Sequence, residues 1–157
     1  LVFGNSFFFD SINFEAIANN ISADGGLIEV SPNGTSWTPV TGVLADGLWP
    51  TLGYTDGTDP FGGPAGTALT DFTKPVNPSF DWHGKDYAQL IAGYNGSGGG
   101  AGVDIGALGL SQISFVRVSY AGSGNVEVDA FSDVSPIPAP ASLFVLVGVL
   151  ARSGRRR

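Results

Sequence analysis

The sequence predicts an all-β domain, mainly an antiparallel β-sandwich with minor helix, followed by a short C-terminal hydrophobic helix. Three observations carry this. Apolar residues alternate with polar ones in short runs, and the runs are separated by turn residues. Gly and Pro number 24 and 10 among 157 residues, which interrupts the chain too often for long helices. Charged residues make up 13% of the chain, against a usual share of about 25%, so a long charged helix or a coiled coil is disfavoured. Apolar residues at 43%, with 11 Phe, 3 Trp and 4 Tyr, supply enough side-chain mass for a core, so wholesale disorder is disfavoured too.

The elements follow in order. Leu1–Phe3 and Phe7–Phe9 are apolar runs broken by Gly4, Asn5 and Ser6, and read as strands. Phe14–Ala18 reads as a strand or a single helical turn, and Asn19–Gly26 as loop. Gly26–Ser31 alternates as a half-buried strand does. Pro32-Asn33-Gly34 is turn chemistry, and the chain resumes as a strand at Ser36–Val40, giving a hairpin with Asn-Gly at its turn. Residues 42–85 read as long loops with at most one short strand. Asp86–Tyr94 is the helix: Tyr87, Leu90, Ile91 and Tyr94 fall on one face, Asp86 is the N-cap and Gly96 the stop. Gly96–Gly102 is a glycine-dense loop, and Asp104–Leu110 reads as a further turn of helix. Ile113–Ser119 is the strongest strand. Its alternation slips at Val116, marking a bulge or a strand buried on both faces. Gly122–Asn125 is a turn into Val126–Ala130, so these two runs read as a second hairpin. The core seam then runs through Leu27, Val30, Trp37, Phe115, Val118, Val126 and Val128, with the Phe115 ring facing the partner sheet.

The charge is segregated. All 14 acids lie between Asp10 and Asp133, a stretch with only three bases (Lys74, Lys85 and Arg117), which leaves the body at −11. Such a body is repelled by phosphate backbones, so nucleic-acid binding is disfavoured. The tail carries +4, on Arg152, Arg155, Arg156 and Arg157. With no Cys, disulfides, thiolate metal sites and Cys nucleophiles are excluded. With no Met, and with Leu1 opening directly on strand-like sequence, the chain reads as N-terminally incomplete or processed, any signal peptide lost with the missing part.

The chain divides into a β domain at 1–134, a Pro-rich linker at 135–142 and a basic-ended membrane helix at 143–157. Pro136, Pro138 and Pro140 alternate in the linker. Proline fixes φ and lacks the amide hydrogen, so this is an extended spacer. Residues 141–151 are uncharged and mainly aliphatic, and Arg155–Arg157 close the chain. At 1.5 Å per residue those eleven residues reach about 16 Å, short of a hydrocarbon core of about 30 Å. A core helix does not need a terminal Arg cluster, so the basic end points to membrane targeting.

Ser135–Arg157, SPIPAPASLFVLVGVLARSGRRR, resembles the PEP-CTERM sorting signal of Gram-negative bacteria. Pro138, Ala139, Pro140, Ala141 and Ser142 match the motif, Leu143–Ala151 the helix, and Arg155, Arg156 and Arg157 the basic stop. Ala139 stands where the family motif has Glu. The resemblance implies export, recognition by an exosortase, an inner-membrane intermediate, and then a place at the cell surface or in the extracellular matrix. A glycosylphosphatidylinositol-anchor tail also joins a spacer to a hydrophobic end, but does not normally finish in arginines. In the body, Gly26–Trp37, GLIEVSPNGTSW, resembles a hairpin of galactose-binding-like jelly rolls. Ile113–Asp129, within ISFVRVSYAGSGNVEVDAF, resembles the paired late strands of that fold. This implies a carbohydrate-binding-module-like sandwich with no particular ligand.

Candidate chemistry is sparse. His83, the single histidine, sits in Asp81-Trp82-His83-Gly84-Lys85-Asp86 with no nucleophile elbow, so a solvated loop is the expectation and the chain is read as non-catalytic. Loop oxygens of Asp104, Asn125 and Asp129, with Asp24 ahead of the first hairpin, are candidate ligands for calcium. No EF-hand loop is present, and the competing reading is solvent-facing polar residues. Trp37, Trp49 and Trp82 are candidates for a sugar-stacking platform on an extracellular polysaccharide. Trp37 is expected in the core, whereas Trp49 and Trp82 sit in loops and are freer, although rings in such positions more often pack than contact a ligand. Asn20, Asn33 and Asn95 open N-x-Ser/Thr sequons.

Overall fold

The computed structural model describes residues 1–10, 17–58, 65–120, 122 and 125–134. Among them the chain is mostly β, and every strand pair is antiparallel. The strands are β1 (Val2–Phe3), β2 (Phe7–Phe9), β3 (Ile17–Ala18), β4 (Asn20–Ser22), β5 (Gly25–Ser31), β6 (Thr38–Asp46), β7 (Lys85–Asp86), β8 (Phe115–Ser119) and β9 (Ala130–Phe131), with one helix, α1 (Tyr87–Tyr94), between β7 and β8. β6, β5 and β8 form a three-stranded sheet in that order, and β1–β9, β2–β4 and β3–β7 form two-stranded ladders. Residues 19–26, read as loop, contain β4 and the start of β5. Residues 11–16, with most of the segment Phe14–Ala18, lie outside the described residues.

The first hairpin forms as its sequence asks. Asn33 Oδ1 accepts from the Thr35 and Ser36 amides, each at 2.9 Å, and Ser31 Oγ accepts from the Gly34 amide at 2.9 Å. These bonds satisfy the turn internally, as Asx and Ser side chains do. β6 then runs on to Asp46, beyond the expected end at Val40. Its ladder with β5 shifts register between Leu27 and Glu29, where Ile28 alone stands opposite residues 40–43. A bulge of this kind bends the strand and lets it continue.

The phase of β5 and β8 corrects the expected core. Ile28 pairs with Val118 and Val30 with Val116, and Ile28 and Val30 are each 1% exposed. They pack with Val2, Ala45 and Ala101. Leu27 is 50% exposed and Phe115 47% exposed, both on the opposite face. Trp37 is half-buried, on Arg117, whose guanidinium carbon lies 4.3 Å from the ring centroid. The physical reason is parity. Side chains alternate along a strand, so Phe115 and Val118 face the same way only across a bulge. The β5–β8 ladder is continuous, so Val116 takes the inward place and the ring faces out. Neither alternative expected at Val116 holds: the β8 ladder is unbroken and its Phe115 face is exposed, and the bulge lies instead in β6.

The second hairpin is likewise corrected. β8 pairs with β5, and residues 125–131 run beside the N-terminus. The Asp129 amide donates to Phe3 O at 2.8 Å, Val2 faces Phe131, and Leu1 and Ser132 exchange bonds at 2.8 and 3.0 Å. Val126 and Val128 still pack on the core, Val126 lying over Gly26, whose φ is +110°. A Cβ at Gly26 would sit 2.6 Å from the Val126 methyl, so the close approach requires glycine. The Val118–Tyr120 end of β8 and residues Asn125, Val126 and Val128 line an open cleft of about 450 Å³ instead of sharing a ladder.

α1 is capped as expected at its start. Asp86 Oδ1 accepts from the Gln89 amide at 2.8 Å, and Gln89 Oε1 accepts from the Asp86 amide at 3.0 Å, a reciprocal capping box. The stop falls at Asn95, which is left-handed (φ 50°), one residue before Gly96. Leu90 and Tyr94 are buried and Tyr87 and Ile91 half-buried, which is the face the spacing gave. Residues 105–109 form turns rather than helix, fixed by Asp104 Oδ1, which accepts from the Gly106 and Ala107 amides.

Candidate functional site

The helix face closes a second core made of rings. Phe8 from β2 lies 4.9 Å from Trp82 and 6.4 Å, edge-on, from Tyr94. Trp49 stacks on Phe80 at 5.8 Å, and both rings meet Tyr94 edge-on. Offset and edge-to-face contacts at these separations are each worth about 0.5–1.5 kcal/mol beyond burial. The Tyr94 hydroxyl donates to Pro50 O at 2.9 Å, and burial pushes its phenol well above the ordinary value, so it stays neutral. The structure thus brings Trp49 and Trp82 into one cluster, but as packing. Trp82 is 8% exposed, and Trp49 is half-buried against Phe80. Loop position does not predict exposure here, because the loops around residues 49 and 82 fold over the helix.

His83 is the exposed end of this cluster. Its ring stacks on Trp82 at 3.8 Å, and its Nδ1 lies 3.3 Å from Asp81 Oδ1. The His83 amide and then its ring hold the Asp81 carboxyl below the usual carboxylate range. Among the described residues, the hydrogen bonds at His83 run to Asp81 Oδ1, from its amide at 3.1 Å and from its ring.

The candidate cation ligands Asp104, Asn125 and Asp129 are all exposed. Asp104 caps its own turn, the Asn125 amide donates to Asp24 Oδ2 at 3.4 Å, and Asp129 is exposed beside Phe3. Among the described residues no group of three or more His, Cys, Asp or Glu is placed to hold a metal ion. The acid that matters most to the fold was not singled out by sequence. Asp46 is 1% exposed, and its carboxylate accepts from the Ser6 amide at 2.8 Å and the Asp24 amide at 3.3 Å. Gly4 passes so close that a Cβ there would lie 2.6 Å from Asp46 Oδ1. In the sequence, Asp46 falls within residues 42–85, which read as long loops.

One surface stands open. The outer face of the β6–β5–β8 sheet carries Leu44 directly opposite Leu27, the Glu29–Arg117 pair bonded at 2.7 Å, Trp37 against Arg117, and Phe115. Leu27, Leu44 and Phe115 are 45–50% exposed. Parity along β5, applied strictly, is the signal that would have found this face. The sorting-motif residues Pro138, Ala139, Pro140, Ala141 and Ser142 and the basic stop Arg155, Arg156 and Arg157 lie outside the described residues. Among the described residues no helix is long and apolar enough to cross a membrane. Comparison with protein-family models, with curated proteins and with solved structures finds no match.

Proposed function

We propose that this chain is an exported, envelope-associated protein with a non-catalytic structural or adhesive role, whose C-terminal segment is a PEP-CTERM-like sorting signal read by an exosortase. The observation that carries this is the order of residues 135–157: a spacer punctuated by proline, an uncharged apolar run, and a terminal Arg cluster. The described body supports it in one respect. Its last strand, β9, pairs with β1, so the described body closes on its own N-terminus just before the tail sequence. The body is proposed to be a galactose-binding-like sandwich, on the strength of its antiparallel pairing and of the Gly26–Trp37 hairpin. The carbohydrate-binding alternative drew on Trp49 and Trp82, and with both rings packed the structural or adhesive role is preferred. The acidic body disfavours nucleic acid as a partner.

The test is a transplant. Residues 135–157 are fused to an unrelated exported carrier in an exosortase-positive host. The account expects a membrane-bound carrier intermediate, lost when Arg155, Arg156 and Arg157 are changed to Ala. A carrier released with no membrane-bound form, with or without the arginines, overturns the reading.

A further inference from the structure

We infer that Asn20 is the acceptor of an N-linked glycan whose first sugar lies on the exposed Phe7–Phe9 face of the β2–β4 ribbon. The inference rests on the proposed export of the chain, and not on how its tail is processed. The β2–β4 ladder sorts side chains onto two faces. Phe8 pairs with Ile21, and both pack on the core around Trp82 and Leu90. Phe7 and Phe9 alternate to the other face, where their rings lie 6.1 Å apart and Phe7 is 55% exposed. On the facing strand Asn20 stands directly opposite Phe9, and Ser22 opposite Phe7. The sequon Asn20-Ile21-Ser22 therefore sets its amide residue and its hydroxyl residue on the aromatic face. Directly opposed Cβ atoms are about 4.5–5.5 Å apart, so a sugar joined to Asn20 Nδ2 reaches the Phe9 ring. The apolar C–H face of a pyranose covers such rings and leaves its hydroxyls in water.

The fold selects Asn20 from the three sequons. Asn20 is exposed, and its Oδ1 accepts from the Ile21 amide at 2.9 Å. Among the described residues nothing bonds Asn20 Nδ2 or Ser22 Oγ. At Asn33, Oδ1 accepts from the Thr35 hydroxyl and from the Thr35 and Ser36 amides, each at 2.9 Å, which ties the side-chain amide and the sequon hydroxyl into one turn. At Asn95 the hydroxyl two residues on belongs to Ser97, which is 0% exposed. Ser97 Oγ donates to Lys74 O at 2.5 Å and accepts from the Gly99 amide at 3.0 Å. A transferase that must engage amide and hydroxyl together finds both open only at Asn20 and Ser22.

The donor is an oligosaccharide carried on a polyprenyl diphosphate. Asn20 Nδ2 bonds to the anomeric carbon as the bond from that carbon to the diphosphate oxygen breaks. The lipid diphosphate leaves, and Nδ2 gives one proton to a base of the transferase. The product is a bulky, solvated group on the β2–β4 face.

The test incubates the folded full-length chain with a lipid-linked oligosaccharide and a single-subunit oligosaccharyltransferase that requires only N-x-Ser/Thr. Short peptides spanning each sequon are run beside it, and mass spectrometry reads the products. All three peptides are expected to accept the glycan, whereas the folded chain takes up one. Asn20→Gln abolishes that uptake, and Asn33→Gln and Asn95→Gln leave it unchanged. The glycosylated chain unfolds at a higher urea midpoint than the bare chain, and Phe9→Ala removes the difference. Phe7→Ala replaces Phe9→Ala if circular dichroism shows the latter unfolded. Refusal of the glycan by the Asn20 peptide or by the folded chain, or a glycan that survives Asn20→Gln, overturns the inference. Equal midpoints with and without the glycan overturn its placement on the rings. The components are purified, so the carrier transplant is independent: a failure of sorting there leaves this result standing, and a failure here leaves the sorting reading standing.

Discussion

Replacing Ile28 and Phe115 separately by alanine tests the register of the central sheet. Ile28 lies in the middle strand, 1% exposed, among Val2, Val30, Ala45 and Ala101. Truncating a fully buried Ile to Ala costs about 2–5 kcal/mol, because the cavity adds to the lost transfer energy. Phe115 is larger but 47% exposed. Full burial of such a side chain is worth about 1.5–3 kcal/mol, so a half-buried ring loses about 1 kcal/mol. Urea unfolding of the full-length chain, followed by circular dichroism and Trp fluorescence, reads both. With a slope of about 1–3 kcal/mol/M, Ile28→Ala lowers the midpoint by about 1 M or more, and Phe115→Ala by well under that. A domain of ordinary stability, about 5–15 kcal/mol, tolerates either change. An equal loss, or a larger one at Phe115, refutes the register, because a one-residue slip exchanges the two faces.

Three further outcomes follow from named contacts. Asp46→Ala leaves the Ser6 and Asp24 amides without their shared acceptor and lowers the stability measured in urea by about 1–3 kcal/mol. Asp86→Ala removes the capping box and costs about 1 kcal/mol, with hydrogen exchange rising first in α1. Asp56 accepts from the Ala68 and Thr67 amides and the Thr67 hydroxyl, which lowers its carboxyl from 3.8 to about 2. Because the folded value is depressed, the bonds are intact above the ordinary carboxylate value and are lost as pH falls through about 2; the Thr67 and Ala68 amide shifts in an NMR titration show the midpoint there, and a midpoint near 3.8 contradicts the geometry.

Local signals were legible where a side chain acts on its own neighbourhood. Asn33-Gly34 marks its turn because Asn33 bonds the next amides itself, and Asp86 marks the start of α1 because it bonds residue 89. Partnership was not legible. The runs around 115–119 and 126–130 are neighbours with matching alternation, yet β8 joins β5 and residue 130 joins β1, since periodicity states which face is buried and not against what. The short strands β4, β7 and β9 are too brief to show any period. Phe115 was read inward on hydrophobicity, and the ladder's parity outweighs it. Packing was the favoured expectation for the Trp82 ring, but its partner was not legible, because burial of a loop ring depends on how distant segments fold back, here Phe8 from β2. Of the candidate site, the tail was legible as composition and order, whereas the open sheet face needed the register.

The most direct measurement of the central claim compares the full-length chain with one ending at Asp133, both expressed behind the same export signal in an exosortase-positive host. Membrane and released fractions are followed over time. The account predicts that only the full-length chain passes through a membrane-bound intermediate, and that the shortened body is released directly. Identical release of the two, with no membrane-bound form of the longer chain, would contradict it.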